Sequence, residues 1–180
     1  MLTLRPYKKC DAEKIASWCD SEETYLNWGG TLFGPYPLTA DIINTKYLEK
    51  NGDCSEEDNF YPLTAVCSDG SVGSLIIRYI NGNPKILRLG WVLADPQKRG
   101  QGYGKKMISL ALKYAFDILG ADTVTIGVYE DNPPAYGCYR SCGFRPSSVL
   151  SDSVMDVNGK KRKVVELEIT KEEFHRGIEQ

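Results

Sequence analysis

The chain has 180 residues, 42% hydrophobic and 26% charged, enough for one domain, residues 1–180, with a real core. A net charge of −2 and the lack of a long basic run exclude the electrostatic footprint of a nucleic-acid binder. No apolar signal core opens the chain and no stretch approaches the ~18 apolar residues of a membrane helix, so a cytoplasmic protein with neither nucleic-acid nor membrane partners is expected.

Leu2 to Arg5 reads as a first strand. Asp11 is placed to cap a helix through about Cys19, with Ile15, Ala16 and Cys19 on its inner stripe. Residues 21–38 read as aromatic and irregular: Tyr25, Trp28, Phe33 and Tyr36 surround Gly29-Gly30 and two prolines. These aromatics, with Trp18, fit either ordinary core or a pocket that holds a cationic group through cation–π contact. Asp20, Glu22 and Glu23 read as a solvated acidic helix end that could also hold a cationic substrate. Thr39 caps a second helix to Lys50, and an acidic loop, Asp53 to Asp58, follows. Phe60–Cys67, Val72–Tyr79 and Lys85–Leu93 form an antiparallel meander that turns at 68–71 and 81–84.

Residues 97–104, Gln-Lys-Arg-Gly-Gln-Gly-Tyr-Gly, join this meander to a helix from Tyr103 to about Leu119. Alternating glycines leave N–H groups bare at the positive end of the helix dipole, which makes an anion site, most naturally for phosphate. Lys98, Arg99, Lys105 and Lys106 crowd a helix start that disfavours cations, so an anion is expected to neutralise them. The dinucleotide fingerprint fails because its third glycine would fall on Lys105; the P-loop fails because Lys106 follows Gly104-Lys105 and Arg99 stands where its first glycine belongs.

The helix carries Met107, Ile108, Ala111, Leu112, Ala115 and Leu119 inward and stops at Gly120. Thr123–Tyr129 is a fifth strand. Asn132 caps the next helix, with Pro133 in its first turn and Gly143 at its end. Ala135, Cys138, Tyr139 and Cys142 share one face, so Tyr139 points inward, as a core tyrosine or a functional one. Val149 and Lys163–Ile169 are the last strands, around a polar turn near Asn158-Gly159, and Lys171–Glu179 is a terminal helix. The six cysteines and single histidine, His175, contain no C-x-x-C pair, and no metal is expected.

Two motifs, Gln97-x-x-Gly100-x-Gly102 and Asn132-x-x-Ala135-x-x-x-Tyr139-x-x-x-Gly143-Phe144, resemble those of the GNAT (GCN5-related) N-acetyltransferases. The likeness covers roughly Leu63 to Leu150 and, more weakly, Leu2 to Trp18. It implies an α/β (α+β) fold with a mixed, mostly antiparallel sheet of about six or seven strands and about four or five helices, splayed between strands four and five. It also implies acetyl-CoA as co-substrate and an amine acceptor, with a homodimer compatible. By this resemblance the cofactor lies on Gln97, Lys98, Arg99, Gly100, Gln101, Gly102, Tyr103, Gly104 and Lys105. Trp91, Val92 and Leu93 pair with the pantetheine amides, with Val92 N–H near the thioester carbonyl. Asn132 and Ala135 flank the pantetheine arm, and Tyr139 gives the proton to sulfur.

Relatives carry a glutamate base near Arg88 and Gly90, or at Gly127; this chain lacks both. Glu130 is the nearest alternative base, beside a water chain to a backbone carbonyl. The reading is therefore an N-acetyltransferase acting on a primary amine, a protein N-terminus or a small molecule. The alternative is a non-catalytic acyl-CoA-binding module, which Arg88 and Gly127 favour and Tyr139 opposes.

Overall fold

Apolar alternation in the meander places the sheet between two cores. The computed structural model describes residues 1–51 and 59–178; the acidic loop expected at 53–58 lies outside the described residues. The elements run β1 (Thr3–Pro6), α1 (Asp11–Trp18), α2 (Glu22–Trp28), α3 (Ala40–Glu49), β2 (Tyr61–Cys67), β3 (Gly70–Ile80), β4 (Asn83–Ala94), α4 (Tyr103–Lys113), β5 (Thr123–Tyr129), α5 (Pro133–Ser141), β6 (Arg145–Pro146), β7 (Ser153–Val157), β8 (Lys160–Thr170) and α6 (Lys171–Ile178). Leu75 and Ile77 of β3 join Leu87, Leu89 and the inner face of α4 in one core, while Ile76 between them joins Trp18, Ile43 and Tyr47 in the other. That is the two-residue period of a strand covered on both sides.

The sheet order is β1-β2-β3-β4-β5-β8-β6, with β7 also beside β8. Every pairing is antiparallel except β4 with β5. A parallel pair needs a crossover, and α4 supplies it. The mixed, mostly antiparallel sheet is as expected, although the described residues hold eight strands and six α-helices, more than the sequence reading counted.

Most turns follow their chemistry. Asn81 and Gly82 carry φ of 50° and 66°, and Asn158 and Gly159 carry 53° and 78°, the double left-handed pattern of a tight hairpin. The segment read as irregular contains α2, because Ser21 accepts a capping bond from Thr24 N–H and Glu22 and Glu23 fill the first turn. Asp11 is not a cap. Its buried carboxylate accepts from Lys8 N–H, both Arg5 amino groups and the Thr64 hydroxyl, so it anchors β1, α1 and β2 together. Val149 is not in a strand; β6 and β7 flank it.

The cause of that last difference is Glu168, 1% exposed on β8. Its carboxylate accepts from the Ser147 and Ser148 hydroxyls and the Ser148 and Val149 N–H groups, and pairs with Arg145 at 2.7 Å. These bonds hold 147–149 as a turn. Burial pushes the carboxyl pKa up, but the hydrogen bonds outweigh it and the value falls from 4.5 to about 2. A folded-state pKa below the unfolded one gives stability that is present above the unfolded value and lost as pH falls through the folded one. The expected contribution is about 3 kcal/mol at neutral pH, by ~1.36 kcal/mol per unit, disappearing between roughly pH 5 and 2. Urea unfolding of wild type and Glu168→Gln across this window checks it. The two should differ most near neutrality and converge in acid.

Candidate active site

β4 and β5 pair only from Ile86–Thr123 to Leu89–Ile126. Beyond that register the strands part. On its other side β4 loses register with β3 between Ile76–Gly90 and Ser74–Leu93, so Trp91 and Val92 have no paired residue in either neighbour. Trp91 sits at φ 46°, a left-handed setting that bulky residues rarely adopt and that costs on the order of 1–3 kcal/mol. Two contacts hold it there. The Trp28 indole N–H donates to the Trp91 carbonyl at 2.6 Å, and the Trp91 ring sits edge-on to Phe33 and Phe60 and stacked on Tyr47. The result is an unpaired backbone edge inside a sheet.

That edge faces a cavity of about 510 Å³ whose wall includes Gly90, Trp91 and Val92 of β4, Gly127 to Tyr129 of β5, and Asn132, Ala135 and Tyr139 from α5 and its cap. Asn132 Oδ1 accepts from Ala135 N–H at 3.3 Å, the capping bond the sequence implied. Its amide oxygen is thereby committed, and its amino group is left for the cavity. Tyr139 is 7% exposed, and its hydroxyl bonds to no described residue. Burial, with lesser help from Cys138 and Cys142, raises the phenol pKa above its ordinary value. The group therefore stays protonated near neutrality.

The glycine loop lies just past β4. Gly100 and Gly102 adopt φ of 74° and 79°, and open space surrounds the point where a side chain would start. The ladder of α4 begins with Lys106 N–H to the Gly102 carbonyl at 3.0 Å, which leaves the Tyr103, Gly104 and Lys105 N–H groups without helical acceptors. Lys98 pairs with Asp69 at 3.4 Å and lies 5.9 Å from the Tyr103 ring centre. Arg99, Lys105 and Lys106 form no ion pair with a described residue. α5 packs onto this helix start: Cys142 Sγ donates to the Lys105 carbonyl at 3.8 Å, and Cys138 Sγ lies 3.6 Å from where a Gly104 side chain would begin. Tyr139 is thus tied to the loop through its own helix. A notch for an extended chain at one end and a bare, cation-flanked helix start at the other suit a nucleotide-bearing thioester.

The acetyltransferase (GNAT) domain family matches residues 1–145. The chain belongs to the GNAT acetyltransferases. It is similar to a spermidine N(1)-acetyltransferase of Vibrio cholerae, 27% identical over 175 residues that cover 96% of this chain and 95% of that protein. An N-acetyltransferase 9-like protein of Caenorhabditis briggsae is 23% identical over 88% of this chain and 83% of its own length. Among solved structures, the Vibrio cholerae spermidine N-acetyltransferase in complex with CoA and spermine superposes with a TM-score of 0.75 at 21% identity, covering 97% of this chain and 98% of that one. A structure of glutamate-to-glutamine mutant forms of the Vibrio cholerae spermidine/spermine N-acetyltransferase SpeG gives 0.76 at 22%, covering 98% of each chain. The chain is an acetyl-CoA-dependent N-acetyltransferase by family, and the parting of β4 and β5 is the splay expected of a GNAT sheet.

Within this GNAT site, Trp91, Val92, Asn132, Ala135 and Tyr139 meet at one cavity. Gln97 to Lys105 lie outside its wall, at the loop, and Leu93 buries its side chain in the second core. Glu130 is placed away from the cavity. Its carboxylate is 64% exposed and pairs with Lys163 at 3.2 Å, because it sits on the strand end whose neighbours are solvent and β8. Of the five aromatics, only Trp28 reaches the wall; Trp18, Tyr25 and Phe33 are core, and Tyr36 is exposed. Asp20, Glu22 and Glu23 are absent from the wall as well.

Two features escape a reading of the sequence. Arg88 of β4 reaches across Gly127 to Glu166 of β8, with paired bonds of 2.6 and 2.9 Å. A side chain on Gly127 would start 2.4 Å from the Arg88 guanidinium, so the glycine is what lets the pair form. Arg162 of β8 donates to Asn27 at 2.7 Å, binds Asp131 and lies 3.8 Å from the Tyr129 ring centre. It ties α2 to the end of β5 across the cavity rim. Both pairs join residues far apart in the chain, and no local signal announces them.

Proposed function

We propose that this acetyltransferase moves acetyl from acetyl-CoA to a primary amine by direct attack. The unpaired edge at Trp91 and Val92, next to a protonated Tyr139, carries the reading. The pantetheine arm adds to β4 as a further strand would, with the Asn132 amino group as a side-chain partner. Val92 N–H takes the charge that grows on the thioester oxygen, as an oxyanion donor does. The Gly100 to Lys105 backbone, flanked by Arg99 and Lys105, holds the pyrophosphate.

The amine nitrogen then attacks the carbonyl carbon, the C–S bond breaks, and Tyr139 O–H passes its proton to the departing sulfur. A primary amine has a pKa near 10 and arrives mostly protonated. No Asp, Glu or His is among the described residues of the wall, so its proton leaves through water. Five free cysteines among the described residues fit a reducing compartment, and we place the protein in the cytoplasm, working as one domain. No helix among the described residues is long and apolar enough to cross a membrane.

A panel of small amines, polyamines and peptides with free N-termini, incubated with acetyl-CoA, tests this. Amine-dependent release of free thiol together with N-acetylated product is expected. Thiol release that no amine accelerates, or acetyl retained on the protein, would contradict it.

A further inference from the structure

The described lining of the cavity carries the sign opposite to what a polycation needs. The charged side chains among its described lining residues are Lys46, Lys50, Arg78 and Arg88; none is acidic. Arg88 is held by both oxygens of Glu166, which is not itself on the wall. Lys46 and Lys50 are different. They are half-buried, lie one turn apart at the end of α3, and form no ion pair with a described residue. Like charges one helical turn apart repel. The helix dipole favours cations at this end. It gives no reason for two of them to face a half-enclosed cavity beside Leu32 and Phe60. An anion seated between them would remove both costs. These lysines stand apart from the cations at the glycine loop, so the pyrophosphate does not account for them.

We infer that the acceptor is an amine carrying an anionic group, a carboxylate or a phosphate monoester, which Lys46 and Lys50 hold while the amine reaches the thioester at Val92 and Tyr139. This rests on the acetyl-transfer reading above and narrows it: the polyamines named for the relatives would be poor acceptors here. The preference should be roughly 10- to 100-fold in kcat/KM, about the worth of one charge-assisted bond to a partly buried anion.

The test compares γ-aminobutyrate, butylamine and putrescine, which share a chain length but end in an anion, nothing or a cation, with phosphoethanolamine and spermidine as further arms. Acetyl-CoA binding is measured on the same preparation. The expected order is anionic above neutral above cationic, and γ-aminobutyrate against phosphoethanolamine tells which anion fits. In Lys46→Gln/Lys50→Gln the order should collapse to near equality, while turnover of butylamine and the melting temperature hold. Acetylation that favours putrescine or spermidine, or a preference unchanged in the double variant, would overturn the inference and leave acetyl transfer standing. Acetyl-CoA binding with no turnover of any amine would instead sink the acetyl-transfer reading.

Discussion

Replacing Tyr139 by phenylalanine should lower kcat by roughly 10- to 1000-fold, within the span of general acid catalysis, and change acetyl-CoA affinity little. The reason is where the hydroxyl stands. The ring is buried against Phe144, with centres 6.3 Å apart; the residue lines the cavity and its hydroxyl bonds to no described residue. Removing it leaves packing intact and orphans no buried partner, so stability should be nearly unchanged. A proton donor acts only once the C–S bond begins to break. Its loss therefore falls on kcat and spares ground-state binding. Burial holds the phenol pKa above its ordinary value, so the donor stays loaded through the neutral range and its removal should leave the pH profile unaltered below about pH 9, where an ordinary phenol is still protonated. Steady-state kinetics and melting on one preparation decide. Normal turnover with a lower melting temperature would make Tyr139 a core residue only.

Gly102→Asp should weaken acetyl-CoA by roughly 100-fold or more, the loss of about 3 kcal/mol of charge-assisted contact. Gly102 is the N-cap of α4 at φ 79°. Aspartate there sets a carboxylate against the pyrophosphate, where the helix start would otherwise welcome an anion. Aspartate also tolerates the left-handed region better than most residues, and nothing lies within 4 Å of the added carbon, so the fold should survive. Gly102→Ala separates the causes. It carries at least as much backbone strain without the charge and should still lose much less affinity. Calorimetric titration of acetyl-CoA into both variants in EDTA measures the difference. Equal affinities for Gly102→Asp and wild type would remove the loop from the binding site.

Both variants sit on features that a single stretch of sequence displays. Glycines at a helix start and a capping asparagine seven residues before an inward tyrosine are local, and local chemistry fixes their geometry. The misses are of two kinds. α2 has a capping signal in Ser21, Glu22 and Glu23, but the aromatics and Gly29-Gly30 that follow carry the composition of a loop. The Arg88–Glu166 pair, the Arg162 tie to Asn27 and the Trp28 bond to the Trp91 carbonyl join positions 78, 135 and 63 residues apart. They exist only once the strand order is set, and the last of them helps hold Trp91 at its positive φ. Glu130 illustrates the converse: near the motif in sequence, it turns to Lys163 and solvent in space.

The site's central claim is spatial: acetyl-CoA lies in the opening between β4 and β5. A crystal structure of the complex with CoA tests it most directly. The account predicts the pyrophosphate on the N–H groups of Gly100 to Lys105, the pantetheine paired with the backbone of Trp91 and Val92, and the sulfur within about one hydrogen bond of the Tyr139 hydroxyl, directly or through one water. CoA bound elsewhere, or with its sulfur turned away from Tyr139 and β4, would contradict it.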